Sequence, residues 1–345
     1  MLKKIKVLVV DDSAFMRMVL KDIIDSAEDM EVIGFGRDGL EAVEQAIKLK
    51  PDVITLDVEM PKLNGLEALK LIMRKQPTRA IMVSSLTEEG ATITLEALSA
   101  GACDFVTKPS GSISGDIRKL SGVLIKKIRD AMKIDPLKIR IAPKVKSRIP
   151  LLARKTLTNK IVVIASSTGG PRSLDQIIPR LPGNFPAPIL IVQHMPKGFT
   201  KSLAERLNRS SELTVMEAQD GMEVLPKNVY IAPGDFHLGV RLQGSKVAIY
   251  LDSGPKINNV RPAADYTIDK AAEIYKEKTI LVVLTGMGKD GTKGAFKVKH
   301  YGGVVIAESE ETCVVFGMPR SVVKEGYADY VLPAYSIAEK LVEII

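Results

Sequence analysis

The sequence predicts an α/β protein: two doubly wound parallel-sheet domains joined by a basic linker. Three observations carry this. Short apolar, β-branched runs alternate with helix-length amphipathic stretches, first from Lys6 to Ala100 and again from Ile161 onward, the pattern of parallel strands with crossover helices. A chain of 345 residues is long for one core and suits two domains of ordinary size. The third observation is where the charge lies. The formal net charge is +8, but residues 1–108 carry −4, residues 117–160 carry +12 and residues 161–345 carry +1. The basicity belongs to the connection and to neither domain.

In the first segment the runs Lys6–Val10, Glu31–Phe35, Val53–Leu56, Ala80–Val83 and Phe105–Val106 read as strands. Asp12–Ser26, Gly39–Lys48, Gly65–Gln76 and Glu88–Ala100 read as the helices between them. Right-handed crossovers then place helices on both faces of a (βα)5 sheet. A Ser/Gly-rich opening at 110–115 leads into helical periodicity over Asp116–Met132, which completes the domain. We expect the first domain at 1–125, a linker at 126–159 with prolines 136, 143 and 150 among basic residues, and the second domain at 160–345.

The second domain opens on Ile161–Ala165, followed by runs at Ile189–Val192, Ile280–Leu284, Gly303–Ala307 and Tyr330–Leu332. Helices are expected at Pro171–Leu181, with proline suited to the first helical turn, and at Thr200–Ser210, Pro262–Glu277 and Asp290–Tyr301. Leu238–Leu242 and Lys246–Leu251 flank Gln243-Gly244-Ser245, a β-hairpin signal. A short C-terminal helix closes the domain. Cys103 and Cys313 fall in different domains and read as reduced, buried, small apolar residues. No Cys/His cluster has metal-site spacing. No run approaches about 18 unbroken apolar residues, and the N-terminus has no signal-peptide pattern, so a cytoplasmic protein is expected.

Strand ends carry the chemistry, because the carboxyl edge of an open α/β sheet is its functional edge. In the first domain Asp11 and Asp12 end one strand, Asp57 a second and Ser84 a third, and Lys108-Pro109 follows the last. Converging carboxylates repel unless a cation relieves them. Mg2+ suits such a site because it takes few protein carboxylates plus water, and it makes one carboxylate a candidate nucleophile for phosphoryl transfer. Lys108 offers a point charge and Ser84 a hydroxyl to the transferred group. A single aspartate such as Asp12 could instead be a helix cap.

In the second domain Ser167, His194 and Asp290 each follow a buried-strand run, the set a Ser-His-Asp hydrolase requires. His194 is the only one of three histidines to follow an apolar strand directly, which makes it the candidate general base. Ser167 sits at a strand-to-helix turn where Thr168, Gly169 and Gly170 let backbone N–H groups approach an oxyanion. The alternatives are that the Ser-Thr-Gly-Gly loop binds phosphate without chemistry, and that Asp290 is the N-cap of the helix after it. A P-loop is excluded because no Gly-Lys-Ser/Thr follows.

Residues 1–125 resemble a two-component receiver domain in the runs Val10-Asp11-Asp12-Ser13, Leu56-Asp57-Val58-Glu59-Met60-Pro61, Met82-Val83-Ser84-Ser85 and Phe105-Val106-Thr107-Lys108-Pro109. That resemblance implies Asp57 as phosphoacceptor, with Mg2+ held by Asp11, Asp12, Asp57 and the backbone carbonyl of Glu59. It also implies Phe105 as a rotating switch and Ser84 as a hydroxyl drawn inward on phosphorylation. Residues 160–345 resemble the catalytic domain of chemotaxis protein-glutamate methylesterases in the runs Ser167-Thr168-Gly169-Gly170, Gln193-His194-Met195-Pro196, Leu284 to Gly291, and Ile231-Ala232-Pro233-Gly234 with His237. The resemblance covers nearly the whole chain. It implies a phosphorylation-activated serine esterase acting on glutamate γ-methyl esters of chemoreceptors, with receptor glutamine deamidation beside it. Ser167, His194 and Asp290 would be its triad, Met287 would lend an oxyanion N–H, a chemotaxis histidine kinase would be the phosphodonor, and the unphosphorylated receiver would cover the active-site edge. The esterase reaction itself needs no cofactor. One departure is visible: Ala165-Ser166 stands where the family has Gly-Ala, which makes Ser166 a rival nucleophile, although register favours Ser167. A basic linker could in principle contact nucleic acid, but the second domain carries no reading module; no nucleic-acid partner and a monomer are expected.

Overall fold

The computed structural model describes residues 4–109, 113–137, 149 and 159–345. The chain divides into two compact units, Met1–Pro143 and Lys144–Ile345.

The first unit runs β1 (Ile5–Val10), α1 (Ala14–Asp25), β2 (Met30–Gly36), α2 (Gly39–Leu49), β3 (Val53–Asp57), α3 (Gly65–Lys75), β4 (Arg79–Ser84), α4 (Glu88–Ala100), β5 (Asp104–Thr107) and α5 (Ile113–Ala131). The strands are parallel in the order β2-β1-β3-β4-β5. Strand order reverses between β1 and β3, so the crevice at their carboxyl ends is the ligand-binding switch point. Asp11 and Asp57 stand there. The helices begin on side-chain caps: Ser13, Asp38, Asn64 and Thr87 each accept a backbone N–H from the first turn. The cap of α1 is therefore Ser13, which leaves the Asp12 carboxylate free of that duty.

Helix α5 continues to Ala131, so the boundary expected at 125 falls inside it. Part of the basic stretch belongs to this unit, where Lys127 pairs with Asp104 at 2.5 Å and Arg129 with Asp29 at 2.8 Å. Most of the remaining linker lies outside the described residues.

The second unit runs β6 (Ile161–Ser166), α6 (Gly170–Ile177) with a 3-10 turn (Ile178–Arg180), β7 (Ile189–Gln193), α7 (Phe199–Ser210), β8 (Thr214–Glu217), β9 (Asn228–Ile231), β10 (His237–Gln243), β11 (Lys246–Asp252), α8 (Ala264–Tyr275) with a 3-10 turn (Lys276–Lys278), β12 (Thr279–Val283), α9 (Thr292–His300), β13 (Val304–Glu308), α10 (Met318–Lys324), β14 (Tyr330–Leu332) and α11 (Ala334–Ile344). Seven parallel strands lie in the order β14-β13-β12-β6-β7-β9-β8, and β10 and β11 form a separate antiparallel hairpin. The central strands β6, β7 and β12 are buried at every position, as expected of continuous apolar runs covered on both faces. The order reverses between β6 and β12, so this sheet too has its switch point where two expected functional residues emerge. Sequence patterning missed β8, β9 and α10. The segments Thr214–Glu217 and Asn228–Ile231 are four residues long and partly polar, too short for periodicity to separate them from loops.

One glycine fixes the loop after β3. A Cβ at Gly65 would stand 2.0 Å from the Asp57 carbonyl oxygen, so only glycine lets α3 begin so close to that strand end. We predict that Gly65→Ala destabilises the first unit by roughly 1–3 kcal/mol, the range for a forced backbone shift. Urea unfolding of the full chain, followed on its first transition, checks this.

Candidate active site

The second unit's candidate site is assembled where three loops leave β6, β7 and β12. Strand-like hydrogen bonds continue beyond the strands and fix these loops against each other. His194 N donates to Ser166 O at 3.1 Å, Ser167 N to Thr285 O at 3.0 Å, and Leu284 N to Ala165 O at 2.8 Å. Gln193 reinforces this from a buried position. Its amide Nε2 donates to the carbonyls of Ser167 (2.9 Å) and His194 (3.3 Å), while its Oε1 accepts the Ser166 hydroxyl at 2.7 Å. A Cβ at Gly170 would lie 2.0 Å from that Oε1, so the second glycine of the Ser-Thr-Gly-Gly run makes room for the glutamine. These contacts give the two serines different surroundings. Ser166 is fully buried with its hydroxyl consumed by Gln193, whereas Ser167 is partly exposed.

His194 and Asp290 meet: Nε2 lies 2.8 Å from Asp290 Oδ2. With Asp290 ionised, the imidazole proton sits on Nε2 and Nδ1 remains as the acceptor. Ser167 Oγ makes no hydrogen bond to His194 in this conformation, so the serine–histidine contact of the expected triad is not formed.

Asp290 is not the N-cap of the helix that follows it. That position is Gly291, which has no side-chain cap. Asp290 instead accepts the first N–H groups of α8, from Ala264 at 2.6 Å (to Oδ2) and Asp265 at 3.1 Å (to Oδ1). Helix α8 has no side-chain cap of its own either. The arrangement is reciprocal, because Asp265 Oδ1 accepts Gly291 N at 2.9 Å and Gly294 N at 2.8 Å at the start of α9. Each aspartate caps the other's helix. Burial alone would raise the Asp290 pKa, but His194 and the α8 amides hold it below the usual carboxylate range. Burial and the Asp290 charge push Asp265 up.

Two further buried groups serve the loops. His237 accepts Ala263 N on Nδ1 at 3.1 Å, donates Nε2–H to Pro255 O at 3.0 Å, and stacks on Tyr266 with ring centroids 4.9 Å apart. His237 thus holds the approach to α8. His300 ends α9 as expected, beside Phe296 and Tyr301. Glu308, at the end of β13, accepts Thr285 N at 2.8 Å and the hydroxyls of Ser173 and Thr312. Complete burial raises its pKa, and it props the Thr285 loop from below. Gly286 O accepts N–H groups from Gly317 and Met318, which locks the Met287 loop. The N–H groups of Gly169 and Met287 donate to no protein group among the described residues, so both are available to an oxyanion. Sequence reading missed Gln193, Asp265 and Glu308; an acidic residue closing the buried β13 was the available signal for Glu308.

In the first unit Asp11, Asp12 and Asp57 offer oxygens that all lie within 4.8 Å of one another. Lys108 Nζ reaches Asp57 Oδ2 at 2.7 Å and lies 3.1 Å from Asp11 Oδ2. It is not aligned for a hydrogen bond with the latter, and Asp11 Oδ2 remains a buried oxygen without a donor. Asp57 is pushed up to about 6 by burial and by the Asp11 charge, against the opposing pull of Lys108. Asp11 is raised chiefly by burial. An orphaned buried oxygen among three hard donors fits Mg2+. Glu59 N donates to Asp57 Oδ1 at 3.3 Å. Ser84 Oγ is directed to α4, donating to Ser85 O and Gly90 O and accepting from Thr94 Oγ1 at 2.8 Å. Phe105 is buried with Lys127 Nζ 5.3 Å from its ring centroid. Both cysteines are free and buried, and burial pushes the Cys103 thiol up to about 12.

Comparison with known proteins agrees with both halves of this picture. Residues 162–341 match the CheB methylesterase family model, and residues 7–114 match the response regulator receiver domain. A Thermotoga maritima protein named protein-glutamate methylesterase/protein-glutamine glutaminase is 71% identical over 341 residues, covering 99% of this chain and 98% of that one. The chain belongs to the CheB methylesterase family. A Pyrococcus abyssi relative of the same name is 48% identical over 353 residues, covering 99% of this chain and 94% of its own. The crystal structure of the Thermotoga maritima CheB methylesterase catalytic domain aligns with a TM-score of 0.54 at 74% identity, covering 55% of this chain and all of that one. The fold is therefore a receiver domain followed by a CheB methylesterase catalytic domain, each built on a parallel sheet.

The raised pKa of Asp57 gives a signed prediction. A native carboxyl near 6 against an unfolded value of 3.8 binds its proton more tightly when folded, so stability falls as pH rises through that window. Asp57→Asn removes the buried charge. In chelator at pH 7.5 the first unit of the variant should melt about 4 °C or more above wild type, and the gap should close as pH falls towards 4. Millimolar Mg2+ should narrow it at pH 7.5 by stabilising wild type alone. Calorimetry of the full chain measures both.

Proposed function

We propose that the second unit is a serine esterase, with Ser167 as nucleophile, His194 as base and Asp290 as orienting carboxylate. It hydrolyses glutamate γ-methyl esters on chemoreceptors, and glutamine side-chain amides at the same site. The observation that carries this is the 2.8 Å contact between His194 Nε2 and a buried Asp290 that is charged and anchored at the start of α8. The names of relatives across 99% of the chain support the substrate class.

In this reading the Ser167 hydroxyl rotates to His194 Nδ1, gives up its proton and bonds to the ester carbonyl carbon. The developing oxyanion is met by the N–H groups of Gly169 and Met287, with Thr168 shaping the turn between them and the nucleophile. His194, protonated and stabilised by Asp290, passes its proton to the departing methoxide. Methanol leaves, and the glutamyl acyl group stays on Ser167. Water then gives a proton to His194 and its oxygen to the acyl carbon, and His194 returns that proton to Ser167 Oγ as the bond between Oγ and the acyl carbon breaks. Glutamate and the free enzyme result. A glutamine side chain follows the same course with ammonia as leaving group.

Control lies in the first unit. Asp57 accepts the phosphoryl group of a chemotaxis histidine kinase: an oxygen–phosphorus bond forms as the phosphohistidine nitrogen–phosphorus bond breaks. Asp11, Asp12, Asp57 and the Glu59 carbonyl would hold Mg2+, which when bound supplies positive charge for the phosphoryl oxygens. Lys108 is placed to pair with the new phosphoryl group. Ser84 must leave Gly90 and Thr94 to reach it, which couples phosphorylation to α4, and the buried Phe105 ring follows that shift. No helix among the described residues is long and apolar enough to cross a membrane, and we place the enzyme in the cytoplasm with its receptor substrate.

Methanol release from methylated receptor membranes tests the proposal. Wild type should release methanol faster when Mg2+ and acetyl phosphate are added. Ser167→Ala should lose about 1,000-fold or more, and Asp57→Ala should keep the basal rate without responding to the phosphodonor. Methanol release by Ser167→Ala at the wild-type rate would overturn the mechanism.

A further inference from the structure

The geometry points to Asn258 as a positioning residue for the catalytic carboxylate, a role that rests on the triad reading above. Asn258 and Asn259 both have positive φ, at 52° and 63°. Ile257 and Val260 exchange two backbone hydrogen bonds across them, at 3.2 and 3.0 Å. This is a two-residue turn with both central residues left-handed, where asparagine is among the few side chains tolerated without strain. The turn sets the Asn258 amide over the buried pair Asp265 and Asp290, which are 8% and 3% exposed. Asn258 Nδ2 donates to Asp265 Oδ2 at 2.9 Å and to Asp290 Oδ1 at 2.8 Å. The two hydrogens of one primary amide are thus shared between two carboxylates that would otherwise repel each other.

The consequence for the reaction is orientational. Asp290 Oδ2 takes His194 Nε2–H and Ala264 N–H; Oδ1 takes Asp265 N–H and the Asn258 amide. With both oxygens held, the carboxylate plane cannot turn, and Oδ2 stays aimed at the imidazole. The turn is itself tied down, because Arg261 Nη1 donates to Ser253 O and Gly254 O and His237 holds Ala263 N. Glycine would serve the left-handed backbone better than asparagine. What asparagine adds at 258 is the pair of donors.

The test uses full-length Asn258→Gly, which keeps the turn and removes the amide, and Asn258→Asp, which keeps the shape and replaces the donors with a third carboxylate. Asn258→Gly should lower kcat for methanol release about 10- to 100-fold with KM for methylated receptor membranes little changed, as for a misplaced catalytic group. Asn258→Asp should lose more. In both, the downfield proton resonance of the His194 Nε2–H should broaden or move upfield. Wild-type kcat with an unshifted resonance in Asn258→Gly would overturn the inference, as would a loss confined to KM. The resonance reads the Asp290–His194 contact without turnover, so it decides this inference even if wild type releases no methanol, a result that would sink the functional reading instead.

Discussion

The catalytic half depends on a single reciprocal contact: two buried aspartates, each capping the other's helix. Asp290 precedes α9 but satisfies the first amides of α8, and Asp265, in α8, satisfies those of α9. Neither helix has a cap of its own. The exchange fixes the two helices against each other at the switch-point edge of the sheet. It also stabilises the Asp290 charge in a site where burial would otherwise neutralise it. The helix ends do the work that solvent does for an exposed carboxylate, and the oxygen that meets His194 is held by the Ala264 amide as well.

The two units handle buried negative charge in opposite ways, and the contrast separates their chemistry. Around Asp290 the donors are fixed and sufficient, and its pKa falls. Around Asp57 and Asp11 one lysine serves two carboxylates, a buried oxygen lacks a donor, and both pKa values rise. A satisfied carboxylate can orient a base through many turnovers without changing state. An unsatisfied cluster is under electrostatic load that a cation or a covalent phosphoryl group changes, which is the property a switch needs.

Much of this was legible in the chain. The strands of both sheets are apolar runs ended by the residues that form the sites, so Asp11, Asp57, Ser167 and His194 could be placed on a sheet edge from pattern alone. The helix caps Ser13, Asp38, Asn64 and Thr87 were also within reach of local rules. The short strands β8 and β9 were not, because four residues carry too little periodicity. Ser166 and Ser167 could not be told apart by chemistry, since the difference is the partner: Gln193 consumes one hydroxyl and leaves the other. Asn258 carried no signal beyond an Asn-Asn pair in a loop, for its function lies in two carboxylates, one 7 and the other 32 residues away in sequence.

The sequence by itself determined the two α/β units, the strand ends that carry reactive side chains and the concentration of positive charge in residues 117–160. These follow from hydrophobic periodicity and from the rule that ligands bind at carboxyl ends of parallel strands, both of which act over a few neighbouring residues. Only the tertiary structure decided which serine is accessible, which helix Asp290 caps and which imidazole nitrogen faces it. Each of those is a question of which donor meets which acceptor across a long stretch of chain, and hydrogen-bond partners at that range are set by packing and not by local sequence.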